Sequence, residues 1–155
     1  MAQMRRTAPR RAPRGLPIVR KNTVRLPPDI AQRIRAGHPW VYREAFGPRL
    51  NPEPGTVIDV VDDEGEFVGR GLYDADSAIA LRVFVRSPDI RIDAELVRSR
   101  VRAAIALRKR FLDTSRLAVT RLINAESDGL PGIVVERYGE YLVTLMHCSA
   151  CHATP

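Results

Sequence analysis

Lysine is almost missing from this 155-residue chain: Lys21 and Lys109 are the only two among 25 basic residues. Cysteine occurs only at 148 and 151, and there is a single Trp, Trp40. No run approaches the roughly 20 apolar residues needed to span a bilayer, which excludes a transmembrane helix. The Arg-rich start, Arg5-Arg6 onward, is followed by Thr-Ala-Pro-Arg-Arg-Ala-Pro-Arg and not by an apolar core, so it fits neither a secretory nor a twin-arginine signal. Pro9, Pro13 and Pro17 break the amphipathic helix that a mitochondrial presequence requires. The expected location is cytoplasmic, with no membrane partner.

The two cysteines exclude more than they offer. His147-Cys148-Ser149-Ala150-Cys151-His152 contains the Cys-x-x-Cys-His pattern of c-type haem attachment. That chemistry needs export and a surrounding pocket, and neither is visible. A closed tetrahedral zinc site needs four ligands, whereas the cysteines supply two and His147 or His152 a third. A disulfide between two such close cysteines is expected to be strained and, in a reducing cytosol, unexpected. The reading is therefore no metal and no cofactor in this chain.

What is present is positive charge, unevenly placed. The formal charge is +7. Residues 1–28 carry Arg5, Arg6, Arg10, Arg11, Arg14, Arg20, Lys21 and Arg25 with no acid, which leaves 17 basic against 18 acidic residues in the rest. The globular part is thus close to neutral, and residues 1–19 read as a disordered basic arm. Genomic base composition explains the arginine preference as readily as phosphate binding does. A hydrophobic share of 45% and this length suit one domain or two very small ones.

Residues 20–87 read as several short strands around one short helix. Residues 22–26 form a first strand, stopped by Pro27-Pro28. A helix follows over 29–36, with Asp29 as its N-cap and Gly37 as its terminator. Trp40 is a core anchor or, beside Arg33, Arg35 and Arg43, a base-stacking platform. Residues 56–69 form a hairpin turning at 62–65. Gly69-Arg70-Gly71 signals a bulge or close backbone approach, and with no helix after it the Gly-x-Gly is no dinucleotide fingerprint. Residues 79–86 alternate strictly, placing Ile79, Leu81, Val83 and Val85 opposite Ala80, Arg82, Phe84 and Arg86; this predicts a half-buried strand with a basic outer face. The whole makes a small mixed barrel.

Ser87-Pro88 closes that unit. Asp93 caps a helix running to about Leu112, whose apolar stripe holds Val97, Val101, Ala104, Ile105, Phe111 and Leu112. Arg108 falls inside the stripe, where an unpaired guanidinium is expensive to bury. It is expected either to pair with Glu126 or Asp128 of the following loop or to reach past the core edge into water. Strands flank Gly129-Leu130-Pro131-Gly132, and a returning strand covers 140–146. This gives residues 88–146 a small α+β layer and leaves 147–155 as an atypical tail. Asn124, Glu126 and Asp128 then form a polar loop, either a backbone-bonding turn or a rigid acidic edge beside a cleft.

Residues 121–139, Arg-Leu-Ile-Asn-Ala-Glu-Ser-Asp-Gly-Leu-Pro-Gly-Ile-Val-Val-Glu-Arg-Tyr-Gly, resemble the signature of the PUA-containing, S-adenosylmethionine-dependent 23S rRNA cytosine-C5 methyltransferases. The likeness extends upstream through Gly37-His38-Pro39-Trp40-Val41, Pro54-Gly55, Gly69-Arg70-Gly71-Leu72-Tyr73 and Ala106-Leu107-Arg108. It implies an α+β chain: a PUA-like pseudobarrel that binds structured RNA, then a small α+β domain of the EEHEE type bridging to a catalytic domain. The Rossmann-like methyltransferase domain that relatives place next, with its S-adenosylmethionine site and catalytic cysteine, is not found in this sequence, so Cys148 and Cys151 are not taken as the nucleophile. The implied partner is structured RNA, large-subunit rRNA above all. The expected RNA-contacting residues are Lys21, Arg25, Arg33, Arg35, His38, Trp40, Arg43, Arg70, Arg82 and Arg86, and the loop of Asn124, Glu126 and Asp128 is expected near the methyl-transfer cleft. Alternatives are a subunit acting with a separate catalytic partner or as a homodimer, and a nonfunctional truncated remnant.

Overall fold

The computed structural model describes residues 22–46, 52–113 and 117–148. Two sheets account for the strands. The first is five-stranded and mixed, in the order β1 (Thr23–Arg25), β3 (Val57–Val61), β4 (Phe67–Tyr73), β5 (Ile79–Val85), β2 (Trp40–Tyr42). Only the β1–β3 pair is parallel. Every strand sends side chains to one core, among them Val24, Val41, Ile58, Val60, Val68 and Leu81. Helix α1 (Pro28–Arg35) closes that core with Ala31 and Ile34. A sheet that surrounds one core in this way is a half-barrel, with β1 and β2 as its edges.

Local chemistry explains the joints. Helix α1 has no side-chain cap: Pro27 occupies the N-cap position and Pro28 the first turn, so Asp29 is not the cap the sequence suggested. Proline there removes an N–H that would have no partner anyway. Gly37 does end the helix, at φ 109°. Its N–H donates to Ile34 O and the His38 N–H to Arg33 O, the paired bonds of a Schellman ending. At Arg70/Gly71 the register of β4 shifts against β5, and a Cβ on Gly71 would lie 2.1 Å from the Arg82 carbonyl oxygen. The glycine is required by close backbone approach.

Strand β5 departs from its alternating pattern. Residues 80–85 are buried on both faces, Arg82 included. The expected basic outer face does not exist because the second unit lies on it: Leu72, Phe84 and Val85 pack with Ile92, Leu96 and Cys148. Period-two patterning predicts one solvated face, but here both faces find a partner.

The second unit begins with α2 (Ala94–Phe111), capped by Asp93, whose carboxylate accepts the Leu96 N–H at 2.9 Å. A three-stranded antiparallel sheet follows in the order β6 (Val119–Asn124), β7 (Ile133–Tyr138), β8 (Tyr141–Met146). Within residues 88–146 the order is helix, strand, strand, strand, and the β4–β5 pair of the first sheet precedes the helix. Among the described residues there is no Rossmann-like methyltransferase fold, and no helix is long and apolar enough to cross a membrane. Ala104, Ile123 and Leu130 form the core between α2 and the sheet, with Val97, Val101, Leu122, Ile133 and Val135 around them. Phe111 and Leu112, expected on the apolar stripe, are exposed beyond the end of the sheet's cover, and β8 is exposed along its whole length.

The Gly71→Ala variant is expected to lose about 1–3 kcal/mol of stability or more, because backbone rather than a movable side chain occupies the space; denaturant unfolding of the variant beside the parent chain measures the loss.

Candidate functional site

Residues 124–132 form a tight bend against α2. A 3-10 turn, Ala125–Asp128, ends at Gly129 in the left-handed region at φ 70°, and Ala125 is itself left-handed at φ 45°. A side chain at positive φ costs on the order of 1–3 kcal/mol, so the surroundings must hold the bend. Arg108 supplies most of that hold. Its Nη1 and Nη2 each donate to one oxygen of Asp128 at 2.6 Å, while its Nε donates to Arg121 O. Asp128 also accepts the Asn124 N–H at 2.6 Å. The side chains are 13% and 5% exposed, so Arg108 does not reach into water and its acid is Asp128 rather than Glu126. Burial alone would favour a neutral Asp128. The Arg108 hydrogen bonds, the Asn124 N–H and the Arg108 charge outweigh it and hold the carboxyl below its ordinary 3.8.

Glu126 has a different partner. Trp40 Nε1 donates to Glu126 Oε1 at 2.9 Å across 86 positions of sequence. The lone Trp is therefore neither a sealed core anchor nor a free platform, but a half-buried strut from the first sheet to the loop. It sits in an aromatic group on the β2 edge: the His38 ring meets Trp40 edge-on at 5.9 Å and stacks on Tyr42 at 6.5 Å. Tyr42 is 45% exposed, whereas Val41, pointing the other way, is fully buried. A second strut, unforeseen in the sequence, is Arg100. It donates through Nη1 to Gly129 O and through Nη2 to Phe84 O at 2.8 Å. The signal was available, since Arg100 lies two turns before Arg108 on the same side of α2, with Ala104 between them.

The basic residues expected to contact RNA separate into distinct groups. Arg25 and Arg33 are exposed, and Arg35 is half exposed while paired with Asp62 at 2.6 Å. Arg43 spends its donors on Ser77 O, Asp74 O and the Tyr73 hydroxyl. Arg70 forks onto both oxygens of Asp59 and also holds Ile90 O. Arg82 is buried with Asp74 at 3.2 Å and donates to His147 O, so it faces no solvent. Arg86 holds three carbonyls at the end of α1. Lys21, the arm 1–19 and residues 149–155 lie outside the described residues. Asn124 contributes its side chain to the loop, accepting from Arg121 at 3.1 Å. Contrary to expectation, Cys148 is disulfide-bonded.

The family model for the PUA-like domain matches residues 24–86. Those residues are a PUA-like domain. Over 122 residues the chain is 38% identical to ribosomal RNA large subunit methyltransferase I of Tolumonas auensis, covering 78% of this chain and 31% of that protein. It is 37% identical over 119 residues to the protein of the same name from Alteromonas mediterranea, covering 76% and 30%. The chain is similar to these methyltransferases and spans about a third of their length. Among solved structures, a candidate SAM-dependent methyltransferase from Streptococcus mutans superposes with a TM-score of 0.74 at 14% identity, over 84% of this chain and 34% of that one. At that identity the shared feature is the fold: the PUA-like domain together with the small α+β unit.

Removing one partner of the Arg108–Asp128 fork strands a buried charge, so Arg108→Ala is expected to cost about 3–5 kcal/mol, read by denaturant unfolding. The pH dependence has a definite sign. A depressed folded pKa contributes stability that is present above the unfolded value, about 3.9, and lost as pH falls through the folded one. Unfolding measured from pH 6 down to pH 2 is therefore expected to show a smaller acid loss for Asp128→Asn than for the parent, from a lower starting stability; parallel curves would refute the assignment.

Proposed function

We propose that this chain is the RNA-binding portion of an S-adenosylmethionine-dependent 23S rRNA cytosine-C5 methyltransferase. The observation that carries the reading is the PUA-like domain joined, through Trp40 and Glu126, to the loop of the signature shared with that family. A PUA-like half-barrel with exposed Arg25, Arg33 and Arg35 and, at its β2 edge, a partly exposed aromatic group offers two things RNA recognition needs: cations that neutralise phosphates and rings that stack on bases. The loop at residues 124–131 would lie beside the methyl-transfer cleft, and S-adenosylmethionine would be held by the catalytic part of the family.

One feature favours a role alongside a catalytic partner, whether a domain, a separate subunit or a second copy. Tyr141, Leu142, Val143, Leu145 and Met146 are all more than 40% exposed on an edge strand. An unpaired apolar edge is a place where another chain adds or packs. Large-subunit rRNA is the proposed RNA, and the cytoplasm the proposed place of action. In this reading the chain binds RNA and supplies no catalytic residue.

The test is RNA affinity against salt. The full chain is expected to bind large-subunit rRNA fragments with an affinity that falls steeply with ionic strength, and to quench the emission of its single Trp as bases reach the β2 edge. Binding no tighter than that of a peptide of residues 1–21 would overturn the proposal, since the arm alone would then explain it.

A further inference from the structure

Among the described residues eight arginines have a carboxylate within ion-pair distance, and for Arg35, Arg70, Arg82, Arg108 and Arg121 the separation is only 2.6 to 3.2 Å. Arg86 and Arg100 do not. Among the described residues neither lies within ion-pair distance of an acid; Arg100 is half-buried where the two units meet, and Arg86 is exposed beside it. Every acceptor they use is a neutral carbonyl. Arg86 Nε donates to Ile34 O at 2.8 Å and its Nη2 to Gly37 O and His38 O at 2.9 and 3.0 Å. Arg100 donates to Phe84 O and Gly129 O.

The two are also near each other. Arg100 is anchored on Phe84, two residues before Arg86. Burial pushes both guanidiniums below the ordinary arginine range, and at Arg100 the charge of Arg86 adds to the effect. A half-buried cation and its exposed neighbour, both without a counter-charge among the described residues, repel each other unless an anion lies between them. The negative end of α1 offsets part of the Arg86 charge. It does nothing for Arg100. Donors are also left over: among the described residues Arg86 Nη1 and Arg100 Nε have no hydrogen-bond acceptor.

The position narrows the choice of anion. Arg86 holds the carbonyl of His38, whose ring belongs to the exposed aromatic group with Trp40 and Tyr42, so cationic donors and ring faces occur together on the β2 side of the seam. A guanidinium pair matches the geometry of phosphate oxygens, and rings beside it suit unpaired bases, whose faces are free to stack. We propose that Arg86 and Arg100 together clamp one backbone phosphate of a single-stranded RNA segment, whose neighbouring bases lie on His38 and Tyr42. This rests on the RNA-binding reading above and adds to it a site, a strandedness and a residue from the second unit.

The test uses the full chain and a single-stranded oligoribonucleotide of about 12 residues, titrated over a range of salt concentrations. The double variant R86Q/R100Q is expected to bind about tenfold or more weakly, with a log–log salt slope shallower by about 0.7. R86K/R100K, which keeps both charges, is expected to retain the slope while losing part of the affinity. Neutral methylphosphonate linkages placed singly along the oligonucleotide test the unaltered protein: one position is expected to reproduce the tenfold loss, and that linkage is expected to have no further effect on R86Q/R100Q. If the parent binds the RNA but no single linkage matters, or the glutamine pair leaves affinity and slope unchanged, the clamp is wrong and the RNA-binding reading stands. If the parent binds no RNA at all, both fall.

Discussion

The fork between Arg108 and Asp128 is the contact on which the arrangement of the two sheets depends. A carboxylate that accepts two guanidinium bonds and the Asn124 N–H has most of its lone pairs satisfied, so its burial is tolerable and its orientation is fixed. That orientation sets the pitch of the bend at residues 124–132. Only with the bend in this pose does Glu126 reach Trp40 and Gly129 O reach Arg100. Ala125 can be left-handed because everything on either side of it is already held.

Arginine is the residue that makes such joints possible. Arg82 links Asp74 to His147 O, Arg100 links Phe84 O to Gly129 O, and Arg108 links Asp128 to Arg121 O. Each uses different nitrogens of one planar group to join two segments, far apart in sequence for Arg82 and Arg100, and for Arg108 a strand and the bend that follows it. A lysine ammonium is a compact point donor without that fork, and exchanging it at these positions would not be conservative. Base composition and phosphate affinity were the two explanations open for the near-absence of lysine. The joints supply a third that applies to these three positions, and they show that much of the formal charge is spent inside the protein. The net +7 is therefore a poor guide to the surface that meets a polyanion.

Apart from Asp29, displaced as a cap by Pro27, local signals survived into the structure and long-range ones did not. Asp93, Gly37 and the crowded Gly71 act over a few residues or one strand pair, and each does what its type and position dictate. Arg108 was legible for another reason: a cation inside an apolar stripe must be paired, and the acids nearest in sequence were few. Arg82 was misread because alternation in β5 describes one sheet face at a time, and the second face is covered by residues 92, 96 and 148, which no periodicity in 79–86 can report. The bond Trp40 makes was hidden for the same cause, its partner Glu126 being 86 positions away. Arg100 sat beside Arg108 on the wheel, yet both of its acceptors are backbone carbonyls, which carry no sequence signal.

The same two struts couple the β2 edge to the bend. Trp40 contributes its ring to the aromatic group and its N–H to Glu126, while Arg100 contributes to the uncompensated cation pair and holds Gly129 O. A ligand on that edge can shift the loop only by as much as its contacts differ between loop positions. Both routes meet that condition, because moving either side chain toward a ligand changes a bond that the loop itself makes. The opposing restraint is the Arg108–Asp128 fork, which touches neither ring nor seam. Loop position is thus a competition between one buried ion pair that fixes it and two half-buried hydrogen bonds that report the edge, and the bidentate pair is the stronger partner. The bend is built to stay in place while its outer contacts respond.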